Sequence, residues 1–384
     1  MLSNRIQKLR PSATLAINAK AIELKKQGID ILKFGTGEPD FDTPEHIKQA
    51  AKQALDEGFT KYTAATGIPE LKAAIADKFK RDNSIVCAPE DIIVSVGGKQ
   101  ALYNILMALL NPGDEVLLPS PYWVSYADMI LVCDGVVKTI DTRPNHFKLT
   151  AKMVEKAITP KSKVLILNSP GNPTGMVIEQ KEIEKIAEIA QKNRLYIISD
   201  EVYEYFLYDG KKHFSIASLP DMQDLVFTIN AVSKTYSMTG WRIGYMTGPK
   251  EFIKPISSLQ SHSTSNPCSI AQKAALAAIT GPQDCVKEMV AEFEKRRDFV
   301  YEGFNDIPGF KIEKPEGAFY AFPDISATSK NGFELAELLL EKARVAVVPG
   351  GAFGKEGNQF IRFSFASSIA DIKEGLRRIK KALS

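Results

Sequence analysis

From Asp91 onward, short apolar runs alternate with longer amphipathic stretches, and this rhythm limits the possible folds more than any other feature. The runs are IIVSV (92–96), EVLLP (115–119), VVKTI (136–140), VLILN (164–168), LYIIS (195–199), LVFTIN (225–230) and RIGYM (242–246). Helical patterns lie between them over 99–110, near 123–133 and over 179–193. Runs of four to six apolar residues are too short for buried helices and have the length of strands covered on both faces. Strands separated by helices cannot pair as tight hairpins, so the pattern predicts an α/β domain around a largely parallel sheet.

Near Gly281-Pro282 the rhythm changes. A long charged helix is expected over 283–306, followed by GAFYAF (317–322), a helix near 333–343, VAVVP (345–349), FIRFSFA (360–366) and a last helix. Residues 281–384 therefore read as a smaller α+β domain. Residues 1–45, an N-terminal helix and loop, are assigned to it, which leaves 46–280 as the large domain. The N-terminal helix is expected over 12–27, with Ser12 as its N-cap and Gly28 as its stop. Thr43 and Pro44 read as the N-cap and first position of the next helix.

Several function classes drop out on charge and composition. Lysine plus arginine minus aspartate plus glutamate is 49 − 46 = +3, with both signs mixed along the chain. No basic stripe marks a nucleic-acid footprint. No uncharged apolar run approaches 18 residues, so no membrane span is expected, and the charged start MLSNRIQKLR lacks the apolar core of a secretory signal. Cys87, Cys133, Cys268 and Cys285 are far apart and lack metal-ligand spacing, which suits a reducing, cytoplasmic setting. His46, His146, His213 and His262 form no HxH or HxxxH pair, so no metal is expected and they read as surface or capping residues. The P-loop, GxGxxG and GxSxG patterns are absent.

Ligands of open α/β sheets bind outside the carboxyl ends of the strands. IIVSV ends in Gly97-Gly98-Lys99, VLIL in Asn168 and SPGNPTG, LYIIS in Asp200, and LVFTIN in Ala231-Val232-Ser233-Lys234. The glycine turn is either a tight connection or an anion cradle at a helix start. Lys99 in a first helical turn opposes the helix dipole, and a nearby anion would offset that. Asp200 is either a helix cap for EVYEYF or a site carboxylate. Arg362, among the apolar residues of FIRFSFA, needs a structural carboxylate or an anionic substrate. A phosphate cradle, an arginine, an amide, a strand-end aspartate and a reactive lysine together match the demands of pyridoxal 5′-phosphate, which requires a lysine to bond it and a carboxylate to keep its ring nitrogen protonated.

These residues carry a resemblance. SKTYSMTGWRIGY resembles the Schiff-base lysine signature of the class I aminotransferases, within the fold type I pyridoxal-phosphate enzymes. GEPDF, SVGGKQAL, SPYW, NSPGNPTG, SDEVYE and IRFSFA match the same family in order, from about Pro11 to the last helix. The branch most similar is that of the bacterial aspartate and aspartate–prephenate aminotransferases. The resemblance implies a large domain with a mostly parallel seven-stranded sheet, a smaller α+β domain, and a homodimer with shared active sites.

It also implies residue roles. Lys234 bonds the cofactor and shuttles the proton, Asp200 pairs with the ring nitrogen, and Asn172 and Tyr203 hold its phenolic oxygen. Trp123 stacks on the ring. Gly98, Lys99, Gln100, Ser233 and Arg242 surround the phosphate, with Tyr62 from a neighbouring subunit. Arg362 grips the substrate α-carboxylate near Gly37, Asn172 and Trp123. Thr14 and Lys99 match positions that read an acidic side chain, which implies transamination between aspartate or glutamate and a 2-oxo acid, with prephenate as a further acceptor. Action on aromatic or neutral amino acids, or a lyase reaction on the same fold, stays open. One departure is visible: Ala231 stands where the family has Gly or Ser, so a hydroxyl contact to the phosphate is missing.

Overall fold

The structure is a computed structural model that describes residues 2–9 and 13–383, without the side chains of 13–16 and 18. Ser12, the expected N-cap, lies outside the described residues; the first long helix, α1, spans Ala13–Lys26. Gly28 follows it at φ +83°, the left-handed conformation that a helix stop requires.

All seven apolar runs are strands of one sheet. They are β1 (Ile92–Ser95), β2 (Glu115–Ser120), β3 (Val136–Asp141), β4 (Ser162–Asn168), β5 (Tyr196–Asp200), β6 (Val226–Ala231) and β7 (Gly244–Thr247). Their spatial order is β1-β7-β6-β5-β4-β2-β3. β7 runs antiparallel to both neighbours, and every other pair is parallel. The chain runs from β2 outward to β3, then returns to β4 and continues the other way, so a crevice opens beyond the carboxyl ends of β2 and β4.

The sheet is buried on both faces, and its side chains alternate between two clusters as a two-residue period demands. Val94, Leu117, Leu165 and Ile197 join one cluster with helices α2 (Glu45–Asp56), α3 (Pro69–Asn83) and a helix over Ser269–Thr280. Ile93, Val116, Ile166 and Ile198 join the other, beneath helices over Gly98–Leu109 and Ser125–Val132.

A third cluster holds the remaining elements together. Helices over Asp284–Asn305 and Ile369–Leu383 pack on three short antiparallel strands, β8 (Tyr320–Ala321), β9 (Val348–Pro349) and β10 (Ile361–Ser364), in the order β9-β10-β8. Phe34 from the N-terminal segment stacks on Phe363 there, and Leu32–Lys33 pairs with Val345–Ala346.

Local details depart from the sequence expectations. GAFYAF contributes only two strand residues, because Ala318 takes φ +54° and breaks the extended run. VAVVP divides into two short strands with different partners. The α-helix near 333 ends at Leu338 and continues as a wider π turn over Leu339–Ala343. The helix after Thr43 starts one residue late, with Pro44 at the N-cap. Thr43 instead donates its hydroxyl to the Ser237 carbonyl (2.8 Å) and accepts from the Trp241 indole (3.1 Å). Among the described residues no helix is long and apolar enough to cross a membrane.

A buried polar network lies at one end of β5. Lys78, 1% exposed, forms an ion pair with Glu204 and a hydrogen bond to Asn83 (2.7 Å). Asn83 donates to Glu201 (2.9 Å) and to Glu204 (2.7 Å). Glu201 also accepts from Ser199 and Ser215 and meets His213 at 2.8 Å. His213, expected at the surface, is thus nearly buried as an ion-pair partner. Burial pushes the Glu201 carboxyl up, but His213 and the hydroxyls outweigh it and leave it below the usual carboxylate range. Burial pulls His213 down, but Glu201 outweighs it and leaves it above the usual imidazole value. The pair's stabilisation is therefore lost as pH falls through the depressed carboxyl, and lost again as pH rises through the elevated imidazole.

Lys78→Met should remove about 3–5 kcal/mol of stability, because it strands a buried carboxylate. Calorimetric unfolding checks this, and a loss under about 1 kcal/mol would mean the cation is dispensable.

Candidate active site

The carboxyl ends of β2, β4, β5 and β6 surround a cleft of about 570 Å³. The smaller sheet closes it with Tyr320 and Arg362, and the N-terminal loop adds Gly37 and Glu38. Its charged lining comprises four cations (Lys99, Lys234, Arg242, Arg362) and two carboxylates (Glu38, Asp200), so the cleft is built for an anion.

Lys234 sits in the single helical turn Val232–Thr235 directly after β6. Its Nζ donates to the Gly37 carbonyl at 2.5 Å. A side chain at position 37 would run into the Tyr320 hydroxyl, so the glycine keeps that carbonyl close. Burial lowers the Lys234 pKa to about 8; Glu38 and Asp200 oppose the shift, and Arg362 and Arg242 reinforce it. The amine is thus neutral far more often near neutral pH than an exposed lysine, as a nucleophile or base needs.

Asp200 ends β5 and is buried. Residues 201–206 form turns and no helix, so Asp200 caps nothing. Its Oδ2 accepts from the Tyr126 hydroxyl at 2.7 Å and its Oδ1 from the Val202 N–H at 3.3 Å. Burial raises its pKa to about 6, against these two hydrogen bonds and Lys234.

Arg362, on β10, is 3% exposed. It donates to Asn172 Oδ1 (3.0 Å) and to the Gly35 carbonyl (2.7 Å), and its Nε is buried without a partner. The guanidinium lies 4.6 Å from the Tyr320 ring centre and 4.9 Å from that of Phe353. No carboxylate among the described residues forms an ion pair with it. Asn172 is held in turn by its N–H to Asn168 Oδ1 (3.0 Å), and the Tyr203 hydroxyl meets that of Tyr320 at 2.8 Å.

The glycine turn lies at the rim. Gly97 has φ +78°, and a side chain there would strike the Arg242 guanidinium. The helix Gly98–Leu109 begins at this point, presenting N–H groups that have no acceptor within the helix. Arg242 donates to the carbonyls of Thr239 (2.8 Å) and Val96 (3.3 Å). The Lys99 side chain is exposed overall, but its ammonium lies 4.8 Å from the Trp123 ring centre. Partial shielding, and then Arg242, pull its pKa below the usual lysine value.

Gly37, Gly98, Lys99, Trp123, Asn172, Asp200, Tyr203, Ser233, Lys234, Arg242 and Arg362 all line this cleft. Gln100 does not: its N–H turns to the Gly97 carbonyl (3.1 Å) and its side chain to Val96 and Thr264. Tyr62 is 91% exposed and is not among the lining residues of this one chain. The Thr14 side chain lies outside the described part of the structure. Sequence reasoning missed Tyr126, Tyr320 and Glu38. Tyr126 was detectable, since it stands three residues after Trp123, one helical turn away.

An amine-directed reagent such as trinitrobenzenesulfonate should modify Lys234 in the ligand-free protein with a pH midpoint near 8, about two units below exposed lysines. Peptide mapping across pH checks this, and a midpoint near 10 would contradict it.

The family model "Aminotransferase class I and II" matches residues 29–379. The chain is 49% identical to an aspartate aminotransferase of Bacillus sp. (strain YM-2), covering 99% of this chain and 98% of that one. It is 50% identical to a probable aspartate/prephenate aminotransferase of Aquifex aeolicus, covering 100% and 98%. Among solved structures it superposes on the Thermus thermophilus aspartate aminotransferase with maleate at a TM-score of 0.95, with 45% identity and coverage of 100% and 99%. Strand-end chemistry, fold and full-length similarity agree, and the chain is a member of the class I and II aminotransferases.

Proposed function

We propose that the protein transfers the amino group between an acidic amino acid, aspartate or glutamate, and a 2-oxo acid, with pyridoxal 5′-phosphate as cofactor and prephenate as a further acceptor. The observation that carries this reading is the buried guanidinium of Arg362, which among the described residues pairs with no carboxylate, in the same cleft as Lys234 and Asp200. The donor set fits the cofactor: a lysine amine with a lowered pKa, a buried carboxyl, and a glycine rim pressed against Arg242. When bound, pyridoxal phosphate supplies an aldehyde and a pyridinium that withdraws electrons from the substrate Cα.

In this reading Lys234 is the residue that would hold the cofactor through its aldehyde, and its amine is the base that would take the proton from the substrate Cα. Asp200 keeps the ring nitrogen protonated, and Asn172 and Tyr203 orient the phenolic oxygen. Trp123 packs on the ring face. The N–H groups at Gly98 and Lys99, the Ser233 hydroxyl and Arg242 hold the phosphate. Arg362 and Asn172 bind the α-carboxylate beside Gly37. Tyr62 completes the site from a second copy, and its near-complete exposure next to a chain whose Arg242 is also exposed supports a homodimer. The division into 46–280 and a smaller body of 1–45 with 281–384 is supported by an apolar cluster built mainly from 289–379 with Phe34, which Tyr203, Phe206 and Tyr208 of the large body join at the junction. Four free cysteines support a cytoplasmic setting.

Lys99 and Thr14 are assigned to the distal carboxylate of the substrate. The contact of Lys99 with Trp123 favours a second reading, in which Lys99 only supports the ring and the donor is uncharged.

Two measurements test these assignments. Arg362→Leu should reduce kcat/KM about 30-fold to a few thousand-fold for every amino donor, since all share the α-carboxylate. An effect confined to one donor class would contradict that role. Lys99→Ala should cut kcat/KM for aspartate about 10- to 100-fold, less than for a fully desolvated pair because Lys99 is at the exposed rim. Phenylalanine should be nearly unaffected; equal losses for both donors would favour the second reading.

A further inference from the structure

We propose that Tyr126 is a positioning residue that anchors the Asp200 carboxylate and sets the angle of the Trp123 ring, an inference that rests on the pyridoxal-phosphate reading above. Tyr126 is 2% exposed and lies on the helix Ser125–Val132 that follows β2, whereas Asp200 ends β5. Its hydroxyl donates to Asp200 Oδ2 at 2.7 Å, the shorter of the two hydrogen bonds that reach the carboxylate. Its ring meets Trp123 edge-on, with centres 5.2 Å apart and planes at 85°. One side chain thus ties the carboxylate at one edge of the cleft to the aromatic surface at another.

The alternative is a core tyrosine whose hydroxyl merely found a partner. The charges around Asp200 argue against it. Burial drives this carboxyl toward its neutral form, and neighbouring Glu201 adds to that; Tyr126 is the largest opposing influence, ahead of the Val202 N–H and Lys234. Glu201 turns its own carboxylate to His213, Ser199 and Ser215, and Asn168 donates to the Asp200 carbonyl and not to the side chain. The Tyr126 phenol is pushed well above its ordinary value by burial and by Asp200, with Tyr203 adding to it. It therefore remains a donor over the whole working pH range. Without it, the Asp200 carboxyl would shift further towards its neutral form, a poorer partner for a pyridinium.

The test is pyridoxal 5′-phosphate affinity of the apo-protein from pH 5 to 9, read by quenching of tryptophan fluorescence, for wild type, Tyr126→Phe and Asp200→Asn. Wild-type affinity should fall as pH drops through about 6. Phenylalanine preserves the ring against Trp123 and removes only the hydroxyl. Tyr126→Phe should move this acid limb up by about one to two pH units and weaken binding at pH 7 about tenfold or more. Asp200→Asn should lack the limb. A Tyr126→Phe limb superimposed on the wild-type limb overturns the inference alone. Absence of wild-type binding overturns the cofactor reading and this inference with it, whereas a wild-type limb retained in Asp200→Asn assigns the limb to another group, such as the cofactor phosphate, and overturns this inference alone. If Tyr126→Phe does not fold, 3-fluorotyrosine at position 126, a stronger donor, should move the limb down, and an unmoved limb counts against the proposal.

Discussion

A guanidinium withdrawn from water with no carboxylate beside it is costly, and the arrangement of this molecule around Arg362 depends on meeting that cost. The residues that do so come from three separate parts of the chain. Asn172 approaches from the loop after β4, the Gly35 carbonyl from the N-terminal segment, and the rings of Tyr320 and Phe353 from the smaller body. Only when the large sheet and the small sheet face each other does Arg362 have these partners. Its Nε is buried and still lacks a partner.

The same confinement tunes the two groups assigned to the chemistry. Burial raises the Asp200 carboxyl to about 6 and lowers the Lys234 amine to about 8, so both sit near neutrality from opposite sides. Neither value arises from a single neighbour. Tyr126 restrains the first shift, and Arg362 and Arg242 extend the second. Groups that titrate close to the working pH are where proton transfer is cheapest, and this is why such shifts gather at active sites. The network of Lys78, Glu201, Glu204 and His213 begins at the residue after Asp200 yet does not line the cleft. Its hydrogen bonds are made among its own members, although the Glu201 charge still pushes the Asp200 carboxyl upward.

Much of the site was legible because the parallel sheet turns sequence order into position. Lys234, Asp200, Asn172 and Trp123 each follow or end an apolar run, and strands buried on both faces must bring those ends to one edge. Arg362 was legible by its incongruity within FIRFSFA. What stayed hidden depended on partners remote in the chain. His213 looks like any loop histidine until Glu201 is placed 2.8 Å away. Thr43 looks like a helix cap until Ser237 and Trp241 take its hydroxyl. Ala318 gives no local sign of its left-handed backbone, which shortens GAFYAF to a two-residue strand.

The sequence by itself determined the seven strands, the helices between most of them, and the family to which the chain belongs. Those features rest on local periodicity and on motifs that are contiguous in the chain. Tertiary structure alone decided which partners reach each charged group: Tyr126 donates to Asp200, the Gly37 carbonyl accepts from Lys234, and among the described residues no carboxylate pairs with Arg362. It also decided that Gln100 turns away and that Tyr62 stands apart from its own cleft. The physical reason is that desolvation and hydrogen bonding depend on distance in space, and residues more than seventy positions apart, such as Tyr126 and Asp200, acquire a distance only when the large sheet and its helices have packed.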